Sequence, residues 1–407
     1  MSEHQLPEGY KQTEFGVIPE DWEVRSCSEL SERIVVGIVI RPTQYYVPLG
    51  VRAFRSANIR EKGISDSDLV FISETSNALL AKSQTRIGDI LTVRTGYPGT
   101  SAVVRSKHAG CNCIDILITR PSKQVDSDYL AIWINSSFGK DQVLRNQGGL
   151  AQKHFNVGDM RNLVVALPSL LEQCAIAQAL SDVDALISSL DKLIAKKRHL
   201  KIATMQQLLT GKKRLPGFGK GEWVKKQQKE VCSYINGRAY QRVEWETYGT
   251  PVVRLQNLTG SGDEYYYSNL ILPEHQYMNY GDLIFMWSAS FGPYIWKGRK
   301  SIYHYHIWKI NCDPEKVDKT FYYYKLLELT ENIKQGSNGS TMAHVTKREM
   351  ENFSITLPED TEEQRAIATV LSDMDTEIAA LETRRAKTQD IKQGMMQELL
   401  TGKTRLV

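Results

Sequence analysis

The chain has 407 residues, too many for one small core, so two or more domains are expected. Charged residues make up 24% and hydrophobic residues 41%, an ordinary globular composition that excludes a disordered or fibrous chain. A net charge of +4 permits a polyanionic partner without demanding one.

The first residues are polar and lack the charged, apolar and small-residue order of a signal peptide. The longest apolar run, 34–40, is far too short to span a bilayer. Six scattered cysteines include no Cys-x-x-Cys pair, which favours neither zinc nor a disulfide scaffold and suits a reducing cytoplasm.

Residues 1–20 read as a lead-in arm ending near Trp22, and 23–166 as a mixed region. Runs 89–94 and 113–119 are β-branched and bounded by turn residues, so each is predicted as a strand; 128–144 is predicted as a helix.

Residues 172–211 then form a long helical pattern. Ile176, Leu180, Val183, Ile187, Leu190 and Ile194 alternate steps of four and three, an a/d seam of coiled-coil type. The rhythm slips at Lys197 and resumes through Ile202, Met205 and Leu209, as after a stutter. Ser169 with Glu172 predicts an N-cap and capping box, and Gly211 a left-handed C-terminal stop. About 39 residues at 1.5 Å per residue span roughly 58 Å, the length of a spacer.

The same pattern returns at the end of the chain. Gln173, Leu180 and Thr210 recur as Gln364, Leu371 and Thr401 at one constant interval. Ile367, Leu371, Met374, Ile378 and Leu381 repeat the seam, Asp360 with Glu363 the start signal, and Gly402 the stop. Each seam finds its natural partner in the other copy, which predicts an antiparallel rod with a pseudo-twofold axis. A ring closed in this way brings the C-terminus near the N-terminus.

Residues 224–356 repeat 23–166 loosely. Gly88-Asp89 answers Gly281-Asp282, Arg55-x-x-Asn58 answers Arg254-x-x-Asn257, and Gly149, His154, Met160 and Asn162 answer Gly339, His344, Met350 and Asn352. Such a chain presents two related but different binding faces.

Catalytic patterns fail: there is no P-loop, no G-x-G-x-x-G after a strand, no H-E-x-x-H and no nucleophile elbow. The Pro-Pro motif of amino-methyltransferases is missing too. His304 and His306 share a strand face but have no evident third ligand, so packing is favoured over metal. Loops that mix Arg and Lys with Asn, Gln and Tyr carry the residue types that contact phosphates and base edges, although solvated surface explains them equally well.

Leu167-Pro168-x3-Glu172-Gln173-x-Ala-Ile176-Ala177-x2-Leu180-Ser181-Asp182, its counterpart at 357–375, and Met-Gln-x-Leu-Leu-Thr-Gly-Lys at 205–212 and 396–403 together resemble the specificity subunit of type I restriction–modification systems over essentially the whole length. Asn236-Gly-Arg238, Arg254-x-Gln256-Asn257, Ser288-Ala-Ser290 and His306-Ile-Trp-Lys309 look like framework of a target recognition domain; the first half keeps this framework less well.

The resemblance implies an α+β chain of two globular mixed α/β target recognition domains (1–166 and 216–356). Between them stand two long helices (167–215 and 357–407) packed as an antiparallel coiled coil with internal pseudo-twofold symmetry. It implies a non-catalytic DNA reader, cytoplasmic and without a membrane partner. One half-site of a bipartite, asymmetric duplex would go to each domain. Two methylation subunits and restriction/motor subunits would dock, and methyl donor and ATP would bind those partners rather than this chain. Modules on one duplex face sit about one helical turn apart, ~34 Å or a multiple, which a long spacer can impose. A coiled-coil protein adaptor without DNA binding is the alternative from a different class.

Candidate DNA contacts are Arg55, Asn58, Arg94, Lys153 and His154 in the first half, and Arg238, Tyr240, Arg254, Gln256, Asn257, His344 and Lys347 in the second. A framework role competes at each, above all at the equally spaced His154 and His344. Trp287 and Trp296 suit core packing better than base stacking.

Overall fold

The computed structural model describes residues 6–145, 154–288, 291–336 and 345–407, without the side chains of 334–336. The chain divides into two compact units, 1–191 with 384–407, and 192–383.

In the first unit a four-stranded antiparallel sheet runs in the order Ser101–Val103, Ile90–Val93, Ile116–Pro121, Ser31–Val36. A second sheet places Val51–Phe54 between Asn112–Cys113, which is parallel to it, and Val70–Ile72, with Tyr46–Val47 outside. The run predicted as one strand over 113–119 is thus divided between two sheets. Asp115 adopts a left-handed φ of 51° at the corner, ending one ladder before the next begins. The predicted helix over 128–144 is likewise two, Ser127–Asn135 and Ser137–Arg145. Ser136 lies between them in extended geometry.

The second unit repeats the main sheet strand for strand: Gly292–Ile295, Leu283–Met286, Ile307–Cys312, Cys232–Asn236. Its smaller sheet keeps the parallel pair, Thr250–Val253 with Ser301–Tyr303, but adds Tyr277–Met278 on the far side of that pair rather than beyond the hairpin strand Tyr266–Ser268. The framework is therefore duplicated and its periphery is not.

The two long helices are Leu170–Leu208 and Thr361–Leu399, each 39 residues. Within each unit their segments run antiparallel. In the first, Lys392 pairs with Asp184 (2.7 Å) and Arg385 with Asp191 (2.7 Å), so a step up one helix is a step down the other. In the second, Lys201 pairs with Asp375 and Lys197 with Glu377, the former being the internal repeat of the Lys392–Asp184 pair.

Of the predicted seam, Ile176, Leu180, Ile187, Leu190, Ile194, Ile367, Leu371 and Ile378 are buried, and Val183, Met374 and Leu381 half-buried. The seam is not only a helix–helix contact. Ile176 and Leu180 share a core with Trp22, Tyr129 and Val165 as well as with Leu399 and Leu400, and Ile367 and Leu371 join Tyr322 and Leu357 as well as Leu208 and Leu209. Ile202 does not resume the seam: it is 54% exposed, and the neighbouring Lys201 turns inward to Asp375.

Both starts and stops are repeated in atomic detail. Glu172 N donates to Ser169 Oγ (3.3 Å) and Glu362 N to Asp360 Oδ1 (2.8 Å), so the caps form as expected. The capping-box acids do not reach back. Glu172 and Glu363, both fully buried, instead bind Arg405 and Arg214 of the conserved-spacing tails that follow each helix. Gln173 and Gln364 each accept from a backbone N–H (Asp126 and Asp318, both 2.8 Å) and donate to the preceding proline carbonyl (2.9 and 2.8 Å). Gly211 and Gly402 have φ of 70° and 66°; a Cβ there would lie 3.0 Å from Trp223 and 2.5 Å from Pro19. The tail does return to the start of the chain: the Tyr10 hydroxyl donates to the Gly402 carbonyl (3.1 Å) and Arg405 pairs with Asp21 (2.9 Å).

No helix among the described residues is long and apolar enough to cross a membrane.

Candidate nucleic-acid interface

In the second unit three segments converge at one end of the parallel strand pair. The strand Cys232–Asn236 ends at Gly237, where an added Cβ would sit 2.3 Å from the His304 carbonyl oxygen; only glycine allows the backbones so close. Arg238 then bridges to His304, and His304 N donates to the Val253 carbonyl (3.0 Å). Arg254 follows directly and opens the short helix Leu255–Thr259.

The side chains there form a run of three rings flanked by two cations. Arg238 lies over Tyr240 (5.1 Å); Tyr240 meets Trp245 (5.7 Å); Trp245 meets Tyr266 (4.6 Å); and Arg254 lies over Tyr266 (5.3 Å) and Trp245 (6.0 Å). A guanidinium stacked on rings is pre-organised as a planar donor fork. Arg238 is ion-paired to Glu244, but its Nη1 and the Tyr240 hydroxyl are buried without a hydrogen-bond partner. Buried polar atoms normally have partners, and these two have none among the described residues. Burial pushes the Tyr240 phenol up to about 12, keeping it a neutral donor. Burial, then His306 and Arg254, depress His304 to about 4, so it is uncharged at neutral pH.

Asn257 does different work. Its Oδ1 accepts from Arg254 N (2.9 Å) and its Nδ2 donates to the carbonyls of Glu264 (2.9 Å) and Gly262 (3.2 Å). Asn58 repeats this, accepting from Arg55 N (2.9 Å) and donating to Ser67 (2.7 Å) and Ser65 (3.4 Å). The Arg-x-x-Asn motif is thus a loop staple in both units, with the asparagine amide fully used. Gln256 is half-buried on the same short helix as Asn257.

The first-unit arginines are more tied down. Arg55 Nη2 donates to the Asp68 carbonyl (2.6 Å), although its Nε is buried without a partner. Arg94 is held by Asp115, by the Phe155 carbonyl (3.2 Å) and by Asn156 Oδ1 (3.0 Å). His154 is exposed, next to the Phe155 that donates its N–H to Arg94 O (3.2 Å). Lys347 starts the helix Lys347–Asn352 and faces Glu351 at 3.5 Å. Lys153 and His344 lie outside the described residues, as do Ala289 and Ser290. Trp296 is buried, and Trp287 stacks on Trp308 (5.8 Å), as expected of core rings.

Sequence reasoning missed Trp245, Tyr266 and His304 as members of the cluster. Their only signal was aromatic density among basic loops. It also missed Arg214 and Arg405 as partners of the buried glutamates, although their recurrence in matching tails was visible.

Residues 220–392 match the family model described as the type I restriction modification DNA specificity domain. The chain is 27% identical to a putative type I restriction enzyme MjaX specificity subunit of Methanocaldococcus jannaschii, over 98% of this chain and 97% of that protein. Two solved structures share the fold. One comes from work on complex assembly and conformational transition of the type I R-M system (18% identical, 95% of this chain and 99% of that one, TM-score 0.59). The other is the type I restriction-modification S subunit of M. genitalium (13% identical, 93% and 96%, TM-score 0.59).

Proposed function

We propose, from its similarity to type I restriction–modification specificity subunits, that the chain is the non-catalytic, DNA-reading subunit of such an enzyme. The domains at 1–166 and 216–356 each read one half of a bipartite, asymmetric duplex site. The helical parts at 167–215 and 357–407 dock two methylation subunits, and restriction/motor subunits join them in the cytoplasm. Methyl donor and ATP bind those partners.

The observation that carries this reading is the cation–aromatic strip Arg238–Tyr240–Trp245–Tyr266–Arg254. It places two guanidinium groups against three rings at one loop cluster, Arg238 paired to Glu244 and Arg254 stacked on Tyr266 and Trp245. Arginine forks are the commonest specific donors to guanine edges. Asymmetry of the target follows from the divergence of the loops, and equivalence of the docking surfaces from the repeated Glu–Arg and Lys–Asp pairs of the helices. The test is duplex binding by the chain with its methylation subunit: one sequence bound above all others, with affinity falling steeply as salt rises. A protein adaptor would instead retain its ligand in salt and shift no duplex.

A further inference from the structure

Gly37 is the first unit's counterpart of Gly237. A Cβ on it would sit 2.4 Å from the Cys113 carbonyl oxygen, and the next residue, Ile38, bridges to Ile114 just as Arg238 bridges to His304. From these matched crossings each chain runs through a loop to a glycine, Gly50 or Gly249, and into the strand Val51–Phe54 or Thr250–Val253. The two loops therefore leave and re-enter equivalent places in their units. In the second unit that loop carries Arg238, Tyr240 and Trp245.

Both loops expose apolar side chains, Val243 at 85% in the second unit, but the first-unit loop lacks the stacked cations and rings of the second. Ile40 is 75% exposed and Leu49 84%, with Val39 also open. Arg41 is exposed between them at φ 42° and ψ 56°, immediately before Pro42. Pro disfavours helical geometry in the preceding residue, and a left-handed non-glycine there is strained. No side-chain partner of Arg41 is found among the described residues. Large apolar side chains held out on a strained loop gain about 25 cal/mol for each Å² that a ligand covers.

We infer that the loop 38–49 is the base-reading loop of the first domain, and that Ile40 and Leu49 read thymine through its methyl group. The inference rests on the proposed DNA-reading function and names the chemistry of one half-site. The thymine C5-methyl is the one apolar group on a major-groove base edge. Its use here follows from the equivalence of the two loops: one place in the fold, a cation–aromatic cluster in one unit and exposed aliphatic tips in the other. Arg41, exposed beside the apolar tips, supplies a phosphate contact that sets register. A protein helix docking here would need a broad apolar face, whereas Pro42, Thr43 and Gln44 break the patch.

The test is selection from random-sequence duplexes by the full chain in complex with its methylation subunit, with pools made from either thymine or uracil. Wild type is expected to enrich A·T pairs in one half-site from the thymine pool and to lose about fourfold of that preference per methyl in the uracil pool. Ile40→Ser and Leu49→Ser are expected to show the same loss with thymine, an unchanged second half-site and an unchanged melting temperature. Equal enrichment from both pools, or variants with both half-sites intact, overturns the inference. So does loss of methylation-subunit binding in Ile40→Ser without DNA present. Wild type that enriches no sequence overturns the DNA-reading function itself.

Discussion

Arg405 donates to both oxygens of Glu172, at 2.6 and 2.8 Å, across 233 residues of sequence. Trp22 Nε1 reaches the same carboxylate at 3.2 Å, and the guanidinium lies over the Trp22 ring. Arg214, Glu363 and Trp223 repeat the ion pair and the ring contact in the second unit. The Thr-Gly-Lys-x-Arg-Leu tails are therefore latches that fasten each helix end to the start of the other long helix.

Removing the latch strands a fully buried carboxylate. Arg405→Ala is expected to cost about 3–5 kcal/mol, the usual penalty for breaking a buried pair. Arg214→Ala should do the same in the second unit. Denaturant unfolding followed by tryptophan fluorescence measures both.

The loop-stapling asparagines should behave as structural residues. Asn58→Ala and Asn257→Ala each abandon an N–H donor and two carbonyls, for about 1–3 kcal/mol of stability. Asn58, 1% exposed, should cost more. Thermal melting reads the loss, and the sequence preference of the surviving folded protein should not change.

Arg254→Ala should weaken duplex binding by about 1–3 kcal/mol and relax preference in one half-site only. Arg254→Lys should rescue little, because an ammonium can sit over Tyr266 or Trp245 but has no planar donor fork. Titrations at several salt concentrations separate lost base contact from lost phosphate contact.

His304 gives the second unit a pH dependence. Its folded pKa, about 4, lies below the ordinary value of 6.5, because burial, His306 and Arg254 oppose its charge. The unfolded chain thus binds more protons than the folded one between those values. The stability of neutral His304 is fully present above pH 6.5 and is lost as pH falls towards 4. Melting of wild type and His304→Gln across this window should diverge on the acid side, with wild type falling faster.

The long helices were legible because a heptad seam of alternating four- and three-residue steps, repeated over many turns, twice, leaves few alternatives. The roles of single polar residues were less so. A glutamate three places after a serine reads as a capping box, and nothing local reveals that Glu172 answers to Arg405. Arg-x-x-Asn reads as a pair of contacts until the asparagine is seen to close its own loop. Ile202 fits the seam by spacing, yet it is 54% exposed while its neighbour Lys201 pairs with Asp375. The loops proposed to read DNA were the least legible part. Their equivalence depends on the Gly37 and Gly237 crossings, which bring together residues far apart in sequence.

The most direct test of the central claim is base-resolution mapping of methylation in DNA exposed to the chain with its methylation subunit. Two specified blocks separated by an unspecified gap are predicted, with Arg254→Ala altering one block and leaving the other. A single uninterrupted site, or methylation spread evenly over all sequences, would contradict the account.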